Sequence, residues 1–189
     1  MSIEENEAAV VERAKEDPAA FGLLYQRYVK KIYNYVYYRT GNHHDAEDLT
    51  ARTFYHALSN IGRYQNRGVP FSAWLYRIAH NQVANWHRDR SRRKVIALDE
   101  LVVASRRKVA PESLIEAAEE RDVLLKAIRQ LPPERQQLLI LKFTTELSNA
   151  EIGQVMGRSE GAIKSLYHRT LLALREKLAG KIGADGEMG

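Results

Sequence analysis

The 189-residue sequence contains no cysteine. This absence excludes disulfides, thiolate zinc sites and cysteine nucleophiles, and it is compatible with a reducing cytoplasm. No apolar run approaches the roughly 18–20 residues that a transmembrane helix requires. The first residues are acidic and lack the basic and then apolar segments of a secretory signal peptide. We therefore expect a cytoplasmic protein without a membrane-inserted segment.

The alternation of polar and apolar residues that is typical of β-strands is also missing. Apolar residues instead recur every three or four positions, with helix-starting signals such as Asp17–Pro18 and Asn42 and the helix-ending Gly41. The pattern predicts an all-α protein with two small helical domains. We expect them at residues 1–93 and 119–179, joined by a flexible linker at 94–118 and followed by a frayed tail at 180–189.

Positive charge is concentrated in residues 51–94, which carry nine Lys and Arg residues against one acid. Such a segment favours a polyanionic partner. On the helix predicted from Phe71 to Arg93, cations and amides share one edge, and Tyr64 lies in the preceding loop, where an aromatic ring could hold an unstacked base. The alternative is a solvated surface on a core helix. The edge residues are Arg77, Asn81, Asn85, Arg88 and Arg92.

Residues 147–169 carry the signals of a helix-turn-helix. Ser148 and Glu151 predict a capping box at the start of the first helix. Gly153 predicts a close helix crossing, and Gly157 predicts a tight turn. The second helix would then present its N-terminal polar residues to a DNA major groove. A plain antiparallel helix pair is the alternative. The presented residues are Glu160, Lys164, Ser165, Tyr167, His168 and Arg169.

The segment from His43 to Asp48 is rich in histidine and carboxylate groups. Because His43 and His44 are adjacent, they point apart on a helix and lack metal-ligand spacing. A surface that meets a basic partner explains the acidic residues better. No nucleophile motif is present. We therefore expect no metal, no cofactor and no catalytic residue, although a metal-dependent hydrolase using these residues is the enzyme alternative.

Four segments together resemble the extracytoplasmic-function sigma factors, the small members of the sigma-70 family. The resemblance covers about residues 8–93 and 119–179 in the order and spacing of that family. Its segments are DAEDLTARTFYHAL (Asp45–Leu58), FSAWLYRIAHNQVANWHRDRSRR (Phe71–Arg93), LPPERQQLLILKF (Leu131–Phe143) and LSNAEIGQVMGRSEGAIKSLYHR (Leu147–Arg169).

The resemblance implies that the first domain is sigma region 2 and the second is region 4. It implies a non-enzymatic protein that binds core RNA polymerase and directs it to promoter DNA, and an anti-sigma factor is expected as a further partner. Region 2 would dock on polymerase through Asp45, Glu47, Asp48, Leu49 and Thr50. It would recognise the −10 element through His56, Tyr64, Asn81 and Asn85, beside Arg77, Arg88 and Arg92. Region 4 would read the −35 element through Lys142, Lys164, Ser165, His168 and Arg169.

A different class of protein explains part of the sequence. A stand-alone helix-turn-helix regulator that binds operators as a dimer would account for residues 119–179. It would leave the features of residues 45–93 unused, and the sequence shows no dimerisation heptad.

Overall fold

The computed structural model describes residues 6–66, 68–89 and 116–182. Within these ranges every regular element is a helix, which confirms the all-α prediction. Most of the predicted linker and residues 183–189 of the predicted tail lie outside the described residues. The elements are α1 (Glu7–Ala14), α2 (Pro18–Thr40), α3 (His43–Asn60), a 3₁₀ turn (Ile61–Arg63), α4 (Phe71–Asp89), α5 (Glu116–Arg129), α6 (Pro133–Thr144), α7 (Asn149–Met156) and α8 (Glu160–Ile182).

Local sequence signals set the ends of α2 and α3 as predicted. The Asp17 carboxylate accepts a hydrogen bond from the Ala19 amide at 2.8 Å, and the Asn42 side chain accepts one from the Asp45 amide at 3.0 Å. Gly41 has a φ of 66°, a conformation that costs glycine little. These caps satisfy backbone groups that the helix ends would leave unpaired.

Helix α1 is an element that the apolar periodicity did not single out. It packs on α2 and buries Val10, Val11 and Ala14. Its Glu7 carboxylate accepts a short hydrogen bond from the Tyr28 hydroxyl. This contact joins α1 to α2.

The first unit packs α2, α3 and α4 around one apolar core. Trp74, Ile78 and Trp86 follow the apolar spacing of α4 but are only half-buried. Two of them line a surface cleft, and the Trp86 indole donates a hydrogen bond to another helix. The fully covered members of the core include Leu24, Ile32, Tyr35, Val36, Leu75, Ala79 and Val83.

The second unit contains α5 to α8, and its central helix is α6. Residues 136–141 of α6 are all buried, from Gln136 to Leu141. A helix whose consecutive residues are all buried must be covered around its circumference. Helices α7 and α8 cover part of it, and α2 of the first unit covers another part.

The helix-turn-helix of α7 and α8 forms as predicted. Ser148 and Glu151 make a reciprocal capping box, and Gly157 has a φ of 67° in the turn. A Cβ on Gly153 would lie 2.5 Å from the carbonyl oxygen of Arg158. The close approach at Gly153 is therefore to the backbone of the turn, just before the second helix.

Candidate nucleic-acid and polymerase interfaces

A cleft of about 400 Å³ opens between α3, the 3₁₀ turn and α4. Its size falls in the range of about 300–1,000 Å³ that is typical of small-ligand pockets. Amide, imidazole and guanidinium groups line it together with two aromatic rings. The arrangement suits a flat ring that needs both stacking and edge hydrogen bonds. The lining residues are His56, Asn60, Arg63, Tyr64, Trp74, Ile78, Asn81 and Gln82.

Tyr64 lies in the loop before α4, as expected, and its ring is buried there. Only 6% of its surface is exposed, and its hydroxyl donates a hydrogen bond to the Val69 carbonyl at 2.7 Å. Its ring packs against Phe71 and Trp74, with centroids 5.8 and 5.1 Å away. Burial is the main cause that raises the pKa of Tyr64, so the hydroxyl stays protonated as a donor. Tyr64 thus forms a supported wall of the cleft.

The predicted polar edge of α4 lies beside this cleft. Arg77, Asn81, Asn85 and Arg88 are all exposed, and Asn81 belongs to both the edge and the cleft. The Arg88 guanidinium donates to the Asn85 side-chain oxygen at 2.9 Å, which orients the amide. Arg92, the last predicted member, lies outside the described residues. The structure therefore brings His56, Tyr64 and the α4 edge onto one side of the first unit.

The N-terminal half of α8 presents the predicted groove-reading residues to solvent. Lys164, Ser165, His168 and Arg169 are exposed. Lys164 forms an exposed ion pair with Glu160 at 2.6 Å, and Arg169 Nε donates to the Ser165 carbonyl at 3.4 Å. Surface pairs of this kind are worth about 0–1 kcal/mol, so phosphate groups can compete for these cations.

Lys142 reaches the same face from α6. Its ammonium lies 5.2 Å from the centroid of the Tyr167 ring, within cation–π range. Arg158, in the turn, forms a short ion pair with Glu134 at the start of α6. Sequence reasoning missed this pair, since Arg158 and Glu134 are 24 residues apart and no local pattern joins them.

The acidic segment at the start of α3 divides into exposed and buried members. Glu47 and Asp48 are exposed, and Asp48 pairs with Arg52 at 3.0 Å. Leu49 and Thr50 are 2% and 5% exposed. Because these two side chains face the core, they position the helix and offer no surface for a partner.

Asp45, predicted to contact polymerase, also makes a hydrogen bond within the first helical unit. Its Oδ1 accepts a hydrogen bond from the Trp86 indole at 3.2 Å and so joins the start of α3 to α4. The exposed carboxylates of Glu47 and Asp48 therefore remain as the polar part of the predicted docking surface.

His43 lies in an aromatic group with Tyr33 and Tyr37. Its ring stacks on Tyr37 at 4.3 Å, and its Nδ1 is 2.5 Å from the Tyr33 hydroxyl. Across residues 6–66, 68–89 and 116–182, no three metal-ligating side chains come together. In the same ranges no helix combines the length and apolarity needed to cross a membrane.

Comparison with protein families matches both helical units. The model of Sigma-70 region 2 matches residues 24–93, and the model of Sigma-70 region 4 matches residues 121–174. The first match contains the cleft and the α4 edge. The second contains the helix-turn-helix.

Individual relatives agree with the family models. The chain is 40% identical to the ECF RNA polymerase sigma factor BldN of Streptomyces coelicolor over 89% of its own length, and it spans 64% of the length of BldN. It is 34% identical to the ECF sigma factor SigW of Bacillus subtilis, covering 87% of this chain and 91% of SigW. The structure of CnrH, solved in complex with the cytosolic domain of CnrY, has a similar fold. Its TM-score is 0.63 at 22% identity, with 96% of this chain and 99% of CnrH covered.

Two family regions in the same order define the class as sigma-70 proteins. The chain belongs to the sigma-70 family of RNA polymerase sigma factors, within its extracytoplasmic-function group. Its relatives are regulators of transcription rather than enzymes.

Proposed function

We propose that this chain binds core RNA polymerase and directs it to promoters by recognising a −10 element with region 2 and a −35 element with region 4. The observation that carries the proposal is the presence, in one chain, of a base-sized polar cleft and an exposed helix-turn-helix face. We assign region 2 to residues 1–93 and region 4 to residues 119–179, with the linker at 94–118. Promoter recognition and opening would draw on binding energy alone, without bond chemistry or a cofactor.

The cleft provides the features that capture of an unpaired base requires. Extruding a base costs a few kcal/mol, and stacking and edge hydrogen bonds offset this cost. In the cleft, Trp74 offers an aromatic ring, and Asn81, His56 and Gln82 offer polar edges. Arg77 and Arg88 lie along the same helix and would neutralise the phosphates of the opened strand.

Region 4 would read duplex DNA through α8. Lys164 and Arg169 can pair with guanine edges or phosphates, and Ser165 and His168 can bond either group. Lys142 would add a phosphate contact from α6. Since most of this affinity is electrostatic, promoter binding should fall steeply with salt.

The remaining partners follow from the same proposal. Core polymerase would meet the exposed Glu47 and Asp48 of region 2, with Asp45, Leu49 and Thr50 holding that surface in place. An anti-sigma factor is also proposed, since the similar fold of RpoE from Bartonella quintana was solved with the anti-sigma factor NepR. The chain would act in the cytoplasm, where polymerase and DNA are found.

Run-off transcription tests the proposal. Purified core polymerase is incubated with genomic promoter fragments, with and without the full chain. We expect discrete transcripts only when both proteins are present, and their start sites would define the two elements. Absence of chain-dependent transcripts, together with tight operator binding by the chain alone, would contradict the proposal and favour a stand-alone regulator.

A further inference from the structure

Helix α1 lies behind the loop that carries Tyr64. It comes before residue 24, where the match to Sigma-70 region 2 begins. A crevice of about 220 Å³ opens between α1 and this loop, with Glu7 and Val11 on one side and Phe71 on the other. Tyr64 lines both this crevice and the base-sized cleft. The Tyr64 ring is therefore the partition between the two spaces, and α1 faces its far side.

The Glu7 carboxylate connects α1 to α2. Its Oε2 accepts a short hydrogen bond from the Tyr28 hydroxyl and lies 3.5 Å from Nη1 of Arg27. Burial, followed by the hydrogen bond to Glu7, raises the pKa of Tyr28, so the hydroxyl stays protonated as a donor at neutral pH. A hydrogen bond to a charged group is stronger than one between neutral groups. Glu7 thus holds the Tyr28 side chain in one position.

A series of packed rings leads from Tyr28 to the walls of the cleft. The Tyr28 ring packs on Phe71, with the centroids 5.8 Å apart. Phe71 packs in turn on Tyr64 at 5.8 Å and on Trp74 at 5.6 Å. Because Phe71 is 2% exposed and closely surrounded, a shift of its ring displaces the rings that touch it. The positions of both aromatic walls therefore depend on Tyr28.

Base capture requires these walls to be in place before the base arrives. Tyr64 belongs to a loop, and loop residues are more mobile than helical ones unless other elements hold them. The hydroxyl of Tyr64 bonds to Val69 of the same loop, so this bond does not attach the loop to a helix. Packing from behind supplies the attachment. Walls that are already held in their bound positions reduce the entropy that capture would cost.

We propose that α1 is a positioning element for base capture: its Glu7 holds Tyr28, and Tyr28 acts through Phe71 on the aromatic walls of the cleft. These three are positioning residues, because none of them lines the cleft that would receive the base. The inference rests on the proposed function, since it assumes that the cleft receives an unpaired base.

The first experiment measures how firmly the Trp74 ring is held in the full-length chain. The sequence contains two tryptophans, so Trp86→Phe leaves Trp74 as the only one. In that background, Tyr28→Phe keeps the ring and removes only the hydroxyl that donates to Glu7. The matched control is Tyr25→Phe, the same change on the same helix at an exposed side chain. We expect acrylamide to quench Trp74 fluorescence more strongly in Tyr28→Phe and equally in the control and the parent background.

The second experiment measures base capture by the holoenzyme. Core polymerase carrying the full chain is titrated with single strands that span the −10 element found by run-off transcription, each intact or with one abasic position. The ratio of the two affinities gives the contribution of the base at that position. We expect Tyr28→Phe and Glu7→Ala to lower this ratio about fivefold at the captured position, equivalent to about 1 kcal/mol. Glu7→Gln keeps an acceptor oxygen for Tyr28 and should retain most of the ratio.

The outcomes separate positioning from general damage to the fold. A lower ratio with unchanged affinities for the abasic strand and for core polymerase supports the proposal. A parental ratio or parental quenching in Tyr28→Phe, with the helical content of the parent by circular dichroism, would overturn it. An equal loss of affinity for intact and abasic strands would also overturn it. A ratio of one at every position in the parent chain would instead overturn base capture as part of the proposed function and, with it, this inference.

Discussion

Replacing Gly153 with alanine would place a methyl carbon 2.5 Å from the Arg158 carbonyl oxygen. Real Cβ atoms do not approach backbone atoms so closely, so the turn must move. The turn is closed by the Arg158 amide, which donates to the Gly153 carbonyl at 2.8 Å. The substitution therefore strains the same segment that this bond holds.

The expected change in the free energy of unfolding combines two destabilising effects and one stabilising effect. Overpacking in a well-packed site costs about 1–3 kcal/mol. Weakening the turn hydrogen bond adds about 0.5–1.5 kcal/mol. The better helix propensity of alanine returns about 1 kcal/mol. We expect Gly153→Ala to destabilise region 4 by about 1–3 kcal/mol, which for so small a unit corresponds to about 4–8 °C in Tm for each kcal/mol.

Urea unfolding of the full chain, followed by circular dichroism, measures this loss, and hydrogen exchange of residues 133–174 assigns it to region 4. The matched control is Gly161→Ala, because a Cβ there meets nothing within 4 Å and its φ is not left-handed. We expect the control to keep or slightly raise stability. If Gly153→Ala proved as stable as Gly161→Ala, the steric argument for the turn would be refuted.

Asn81→Ala should reduce promoter opening about tenfold or more, because it removes a polar edge from the cleft. Its affinity for core polymerase, measured by fluorescence anisotropy, should stay within about twofold of the parent chain. Asp48→Arg should weaken the affinity for core polymerase, because it reverses the charge of an exposed carboxylate on α3. Unchanged polymerase affinity would exclude this part of α3 from the interface. Arg169→Ala should weaken binding of polymerase holoenzyme to the −35 element by about 1–3 kcal/mol, whereas Arg175→Ala, farther along α8, should not, as gel-shift titration would show. Because burial and Arg39 lower the pKa of His80 to about 4, below its ordinary value of 6.5, the folded chain should lose stability as the pH falls from 6.5 to 4. Urea unfolding at several pH values should measure this loss, and His80→Gln should remove most of its pH dependence.

Local signals account for the features that the sequence predicted well. Caps at Asp17, Asn42 and Ser148 and a left-handed glycine at Gly157 depend only on residues within one turn of each other. The helical spacing likewise predicted that the α4 edge would be exposed. These features need no knowledge of tertiary contacts.

The misplaced and missed features depend on packing between distant segments. Tyr64 was expected in the loop before α4 as a ring that could hold a base, and its packing against Phe71 and Trp74 could not be read from the sequence. Asn60 and Gln82 join the cleft from separate helices, and apolar spacing carries no signal for such a meeting. The Gln137–His80 hydrogen bond joins residues 57 positions apart, and no local sequence pattern predicts it.

Strand opening is the most direct test of the central claim that this chain brings polymerase to a promoter and captures an unpaired base. Permanganate oxidises thymines that have left the duplex, so its reactivity can be mapped on a promoter fragment found by run-off transcription. We expect reactive thymines just upstream of the start site with core polymerase and the chain together, and none with either alone. Equal reactivity without the chain, or a fully protected duplex with both proteins present, would contradict the account.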